Sequence, residues 1–175
     1  MWKYILIFFF LFSCTLSKAD KEIAKFETIL GENETQALNL LVSDFEINLN
    51  YMYPELPIEK QYRNYLIDMI SESTTDWEKF KFQKEATNTL FNQSGLRNEI
   101  YVKDSRRGLE VNGTGKYMQA LSAVKDSDSL LKKYWDTRAA AGIISNEFFV
   151  NGLLSMDPDF NNYFHTRIVV LEFSF

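Results

Sequence analysis

The stretch from Asn33 to Pro54, NETQALNLLVSDFEINLNYMYP, decides the fold. Its large apolar residues recur with the spacing of one face of an α-helix; they are Leu38, Leu41, Phe45, Leu49 and Met52. Asn33 with Gln36 resembles the residue pair that caps a helix start, and Pro54 fits its end. The stretch therefore predicts a long helix with one face buried in a core.

Similar patterns lie on both sides of this stretch. A shorter apolar stripe before it ends at Gly31, a plausible C-cap, and another follows Pro57; the stripes comprise Ile23, Phe26, Ile29 and Leu30, then Ile58, Tyr62, Tyr65, Leu66 and Met69. Thr75 to Glu78 match the S/T-x-x-E capping box and predict a further helix through about Phe91. Short connections between these four helices favour antiparallel packing.

The middle of the chain has a different composition. Four of the seven glycines lie between Gly95 and Gly115. We therefore expect a long, partly irregular segment over residues 93–114, with a helical turn near residues 96–101. Segments of this length inside a compact domain are often functional.

Helical spacing resumes after residue 114, with expected starts at Thr114, at Asp126 or Ser127, and at Ser145. The tail, residues 160–175, fits either a helix or a strand. We favour the helix because a lone strand would have no obvious partner. The sequence thus predicts an all-α (mainly α) single domain over residues 21–175, a multi-helix bundle with one Gly-rich irregular segment mid-chain.

The N-terminal stretch MWKYILIFFFLFSC has another character. Lys3 precedes an unbroken apolar run from Ile5 to Phe12. A membrane-spanning helix needs about 20 such residues, so this run is too short for an ordinary anchor. A single positive charge followed by a short apolar run is typical of a secretory signal peptide.

The last four residues of that stretch, Leu11-Phe12-Ser13-Cys14, resemble the lipobox of bacterial lipoprotein signal peptides. Leu11 holds the branched apolar position and Ser13 the small one, while Phe12 is bulkier than the residue usual between them. The resemblance implies cleavage between Ser13 and Cys14 and a diacylglyceryl group on the Cys14 thiol. Residues 1–13 would then be a removed signal peptide, and residues 14–20 a lipidated cysteine with its tether.

The same resemblance bears on location. Thr15 does not resemble the acidic residue that retains some lipoproteins at the inner membrane, so we expect the cell envelope, with the outer membrane favoured. Cys14 is the only cysteine, which excludes an intramolecular disulfide. Two other interpretations stay open: an ordinary signal peptide with a leftover thiol, or an inert cysteine in a chain that is not exported.

The net charge and the sequence motifs argue against several classes of ligand. Without residues 1–13 the chain holds 18 basic and 24 acidic residues, a net charge of −6, so we predict no nucleic-acid partner. Residues 108–113 have P-loop glycine spacing, but Thr114 and Gly115 stand where the phosphate-binding Lys and Ser/Thr belong. His165 is the only histidine, so a zinc site is not expected. We predict no cofactor and no metal.

One basic cluster stands out on this acidic chain. Lys103, Arg106 and Arg107 fall within the Gly-rich segment. They are either a solvated loop or a contact for an anionic headgroup, a glycan or an acidic protein.

These observations predict a membrane-anchored lipoprotein of the bacterial cell envelope that serves as a non-catalytic binding or accessory module. Its partners would be the membrane, through acylated Cys14, and an unknown envelope protein or glycan. The alternative is a small envelope enzyme using a carboxylate pair, drawn from residues such as Glu46, Glu55, Glu59 and Asp68. An enzyme should present a pocket with convergent titratable groups, and a binding module an exposed apolar or basic patch.

Overall fold

The computed structural model describes residues 17–104 and 108–174, which form one mainly α-helical domain. No helix within these ranges is both long and apolar enough to cross a bilayer. The elements run in the order α1 (Lys18–Leu30), α2 (Glu32–Met52), α3 (Ile58–Met69), a 3₁₀-helix (Glu78–Phe80), α4 (Glu85–Ser94), α5 (Leu96–Ile100), β1 (Tyr101–Asp104), β2 (Gly108–Val111), α6 (Lys116–Val124), a second 3₁₀-helix (Lys125–Ser127), α7 (Ser129–Ala141), α8 (Asn146–Leu154) and α9 (Tyr163–Glu172).

Helix α2 is the centre of the domain and confirms the long helix predicted from residues 33–54. It packs against α1, α3, α4, α5 and α9. The Phe45 ring is fully buried, with its centroid 4.6 Å from the Tyr65 ring and 4.9 Å from the Phe82 ring. The helix begins at Glu32 rather than at a cap on Asn33, because Gly31, with φ 105°, ends α1 and starts α2 at a single residue.

The first described helix begins inside the predicted tether. The Asp20 N–H donates to Ser17 Oγ at 3.1 Å, and the Ser17 N–H donates back to the Asp20 carboxylate at 3.1 Å. This reciprocal capping box starts α1 at Lys18, so residues 17–20, which we expected in the tether, belong to the helix and its cap. Helix α1 then packs along α6.

The tail is a helix, as predicted. Helix α9 is capped by Asn162, whose side chain accepts from the Phe164 N–H at 2.8 Å. The alternation of apolar residues that resembled a strand arises because α9 is buried on most of its surface, against α2 and α7. The helix brings the last part of the chain into contact with the central helix.

The helix start predicted from the Thr75 capping box is wrong, although the predicted helix is present from Glu85 onward as α4. The Glu78 N–H bonds to Asp76 Oδ1 at 3.1 Å and forms a local turn, which continues only into the short 3₁₀-helix. Helix α4 starts later, at Glu85, because Asp44 of α2 fixes that point: its carboxylate accepts from the Lys84 N–H at 3.0 Å. A partner distant in the sequence thus decides where this helix begins.

The Gly-rich segment is more regular than we expected. The predicted helical turn is present as α5, but β1 and β2 then form an antiparallel hairpin in which Lys103 pairs with Leu109. Gly95 adopts a left-handed conformation, φ 82°, between α4 and α5, and so permits the sharp change of direction. The hairpin is the only sheet within the described ranges.

Asp44 supplies the first testable prediction. Burial alone would raise the pKa of Asp44, but hydrogen bonds from Thr87 and Lys84 and the charge of Lys84 hold it below its ordinary value. We expect Asp44→Ala to lower the free energy of unfolding by about 1–2 kcal/mol at neutral pH, because the Lys84 N–H at the start of α4 and the Thr87 side chain lose their acceptor. Urea unfolding followed by circular dichroism measures this change.

The pH dependence has a defined sign. Because the folded-state pKa of Asp44 is depressed, its contribution is complete above the ordinary aspartate pKa and is lost as the pH falls through the folded value. The difference in the free energy of unfolding between wild type and Asp44→Ala should therefore become smaller as the pH falls. The neighbouring exposed substitution Ser43→Ala should change stability by less than about 0.5 kcal/mol at any pH. Equal effects of the two substitutions on the free energy of unfolding would contradict the role of Asp44 at the start of α4.

Candidate functional site

The predicted site residues fall mostly outside the described ranges. Ser13, Cys14, Arg106 and Arg107 lie outside them, so the predicted cleavage, lipidation and part of the basic contact stay predictions. Lys103 is described: it is exposed on β1, which immediately precedes residues 105–107. The structure therefore presents one member of the basic cluster to solvent on a hairpin strand.

The hairpin is tied to the domain at its base. Tyr101 is buried at the start of β1, and its hydroxyl accepts a hydrogen bond from Arg138 Nη2 at 2.8 Å. Beyond this anchor, Val102 and Leu109 are exposed. The hairpin thus combines a fixed base with an outer part that carries Lys103 and two exposed apolar side chains.

A second feature was not predicted: an apolar cavity of about 160 Å³ between α7 and α8, called here the α7–α8 cavity. The side chain of Phe148 is 62 % exposed in its wall, an unusual position for so large an apolar group. The lining residues are Leu130, Lys133, Tyr134, Thr137, Ile144, Phe148, Phe149, Gly152, Leu153, Ser155 and Met156.

Local sequence positions the two helices that form the cavity. Asp128 caps α7 by accepting from the Leu131 N–H at 2.9 Å, and Ser145 caps α8 by accepting from the Phe148 N–H at 3.2 Å. Between them Gly142 takes a positive φ of 66° and ends α7, and its carbonyl accepts from Arg138 Nη1 at 3.0 Å. The cap at Ser145 confirms the start predicted there, whereas α7 is capped by Asp128 and not by Asp126 or Ser127, which lie in the preceding 3₁₀-helix.

Gly152 is an exposed position in the cavity lining. Gly152 lies within α8, and its φ is not in the left-handed region, so the backbone does not require a glycine there. A Cβ atom at Gly152 would meet no other residue within 4 Å, apart from its neighbours and its own helical turn. A glycine inside a helix is about 0.5–1 kcal/mol less favourable than alanine. At this position it leaves space beside the cavity.

Tyr134 links the cavity wall to a buried polar cluster. Its ring lines the cavity, while its hydroxyl donates to Glu172 Oε1 at 2.6 Å. Glu172 also pairs with Arg138 Nη2 at 2.7 Å, and both side chains are almost fully buried. Burial raises the pKa of Glu172 above its ordinary value, although Arg138 and Tyr134 oppose that shift. This cluster fixes α7 to α9 and holds one wall of the cavity in place.

Lys133 gives the cavity its charge. It is exposed, and it forms no hydrogen bond or ion pair with any described residue. The preceding residue on α7, Lys132, is by contrast paired with Asp136 at 3.0 Å. Apart from the Tyr134 phenol, Lys133 carries the only ionisable side chain among the residues that line the cavity.

The carboxylates singled out in the sequence contact separate partners. Glu46 accepts from the Tyr62 hydroxyl at 3.3 Å, and Asp68 accepts from the Tyr53 hydroxyl at 2.7 Å. Glu59 accepts from the Asn161 amide at 2.5 Å, and Glu55 is exposed. The contacts of these four residues therefore do not bring any two of them together.

A different carboxylate pair lines a cleft of about 490 Å³ beside the starts of α1, α7 and α9: Glu22 and Asp128. Burial alone would raise the pKa of Asp128, but the Leu131 N–H and His165 hold it below its ordinary value. A general acid at neutral pH needs the opposite shift. Asp128 therefore has the properties of a helix cap and of a hydrogen-bond partner for His165.

His165 is buried beside that cleft. Its Nε2 lies 3.2 Å from Asp128 Oδ1, and its Nδ1 lies 3.1 Å from the Asp159 N–H. Both ring nitrogens thus have structural partners. Among the described residues, no group of three or more His, Cys, Asp or Glu side chains is placed to hold a metal ion.

Comparison with protein-family models, with curated proteins and with solved structures gave no match to this chain.

The buried ion pair leads to a second prediction. Glu172→Gln should lower the free energy of unfolding by about 3–5 kcal/mol, because Arg138 would stay buried without its counter-charge. The double variant Arg138→Met/Glu172→Leu removes both charges, so its free energy of unfolding should fall much less. Denaturant unfolding of the single and double variants measures both changes. A double variant that loses as much stability as Glu172→Gln, or more, would contradict the pairing of the two charges.

Proposed function

We propose that this chain is an acyl-anchored lipoprotein of the bacterial cell envelope, acting as a non-catalytic binding module whose binding surface is the α7–α8 cavity. The observation that carries the binding role is the cavity itself, with Phe148 exposed in its wall. In a domain whose other large aromatic rings are mostly buried, an exposed phenylalanine beside a cavity favours ligand contact over core packing.

The anchoring part of the proposal rests on the sequence. Residues 11–14 resemble a lipobox, and helix α1 begins at Lys18, four residues after Cys14. Two or more acyl chains, at about 0.8 kcal/mol per buried CH₂, hold a protein stably at a bilayer. The short spacing would keep the domain close to the membrane surface, with the outer membrane favoured.

The hairpin offers a second contact surface for the same module. Exposed Lys103, with Arg106 and Arg107 next to β1 in the sequence, is suited to an acidic envelope protein or an anionic glycan. The enzyme alternative has weaker support. Its best cleft contains Glu22 and Asp128, and Asp128 is committed to Leu131 and His165.

Cys14 provides the test of anchoring. We expect cells grown with an alkyne-bearing palmitate to label the wild-type protein and to retain it in the membrane fraction. Cys14→Ser should abolish the label, because the thiol is the proposed acyl acceptor. Labelling that persists in Cys14→Ser, or an unlabelled wild-type protein, would contradict the proposal.

Phe148 provides the test of the binding surface. A photo-crosslinking phenylalanine analogue at position 148 should form an ultraviolet-dependent adduct in intact cells, detected as a mass increase. Tyr51 is the matched control, because it is also an exposed aromatic residue, 83 % accessible, but lies on α2 away from the cavity. Equal yields at both positions, or no adduct at 148, would contradict a specific site.

A further inference from the structure

We propose that the α7–α8 cavity binds the hydrocarbon tail of a free fatty acid, with the carboxylate beside Lys133. This inference rests on the proposed function, because it takes the cavity as the binding surface. It adds the chemical class of the ligand: a single-chain anionic amphiphile.

The size of the cavity favours one narrow apolar group. An engineered cavity of about 150 Å³ lined by Leu, Ile and Phe stays dry and binds benzene. The α7–α8 cavity, at about 160 Å³, is of similar volume and has room for the inner part of one alkyl chain. It is too small for the paired tails of a phospholipid, so a single-chain ligand fits best.

The lining excludes strongly polar ligands. Most of the wall is aliphatic or aromatic, and its buried hydroxyl, that of Tyr134, is already used by Glu172. The Ser155 hydroxyl is also occupied, since it donates to the Gly152 carbonyl at 2.8 Å. A sugar or a peptide backbone would lose most of its hydrogen bonds to water here, since only Thr137 and Lys133 could replace them. A hydrocarbon tail would lose none.

The charge at the cavity selects the head group. Lys133 contributes an unpaired positive charge, and no lining residue contributes a carboxylate. A tail bound in the cavity with its head at the opening would bring that head close to Lys133. An anionic head is therefore attracted, and a cationic head on the same tail is repelled.

Gly152 is the position in the lining at which a larger side chain can test the cavity. Because the backbone does not need glycine at this position, alanine or leucine would favour the helix, yet either side chain would enter the open space. Glycine is therefore the residue that leaves the most open space at this point of the lining. This gives a substitution that blocks the cavity without a predicted loss of stability.

The experiment uses the full acylated protein in phosphatidylcholine nanodiscs, which avoids detergent in the cavity. A diazirine-bearing laurate is added, adducts are formed by light, and peptide mass spectrometry maps them. We expect adducts on α7 and α8 that unlabelled laurate suppresses. Dihexanoyl phosphatidylglycerol, an anionic lipid with two short tails, should not suppress them. A diazirine-bearing dodecyltrimethylammonium should label these helices weakly.

The variants locate the site. Gly152→Leu should raise the laurate concentration for half-maximal labelling at least about tenfold, because it fills the cavity, while its thermal unfolding temperature stays equal to or above that of wild type. Lys133→Gln should raise the laurate concentration for half-maximal labelling roughly threefold, because one exposed charge contact is lost. Lys132→Gln is the matched control on the same helix, because Lys132 pairs with Asp136, and it should leave that laurate concentration unchanged.

Four outcomes would overturn the inference. Unchanged labelling of folded Gly152→Leu would move the site elsewhere, and equal labelling by the cationic probe would remove the anionic class. Suppression by the two-tailed lipid would replace the free fatty acid with a phospholipid. Absence of laurate adducts, together with a specific adduct at position 148 in cells, would overturn this ligand and leave the proposed function standing.

Discussion

The burial of Phe45 on α2 is the interaction on which the rest of the structure depends. Its ring contacts Tyr62 and Tyr65 of α3 and Phe82 in the segment before α4. Tyr62 in turn stacks on Phe160, with centroids 4.8 Å apart, just before α9. Aromatic pairs of this kind contribute about 0.5–1.5 kcal/mol each beyond the burial of area. One apolar stripe thus joins helices from the first and last thirds of the chain.

The α7–α8 cavity lies at the edge of this core rather than within it. One of its walls is held by Tyr134 through Glu172 of α9, and α9 is held by α2. The other wall, on α8, carries exposed Phe148 and open Gly152. A wall held by buried hydrogen bonds is suited to a small apolar group, because little order must be created when the group binds.

Local sequence signals predicted most of the helices. The features that were not predicted depend on contacts between residues far apart in the sequence. The periodicity of residues 38–52, the cap at Ser145 and the helical tail all depend on neighbours within a few residues. The start of α4 depends on Asp44, forty residues earlier, and the hairpin depends on pairing across residues 105–107. The pairing of Arg138 with Glu172 left no trace in spacing. Gly152 did leave one, as an isolated glycine inside a helical pattern.

The packing of α9 against α2 also sets the order in which the domain can form. Contacts between residues more than a hundred positions apart, such as Tyr163 with Glu27 at 2.7 Å, cannot form until α9 is available. A chain that emerges from the ribosome with its N-terminus first therefore leaves α2 without one of its partners until α9 emerges. Because α9 is the last helix of the described part of the chain, these long-range contacts delay completion of the fold and slow folding.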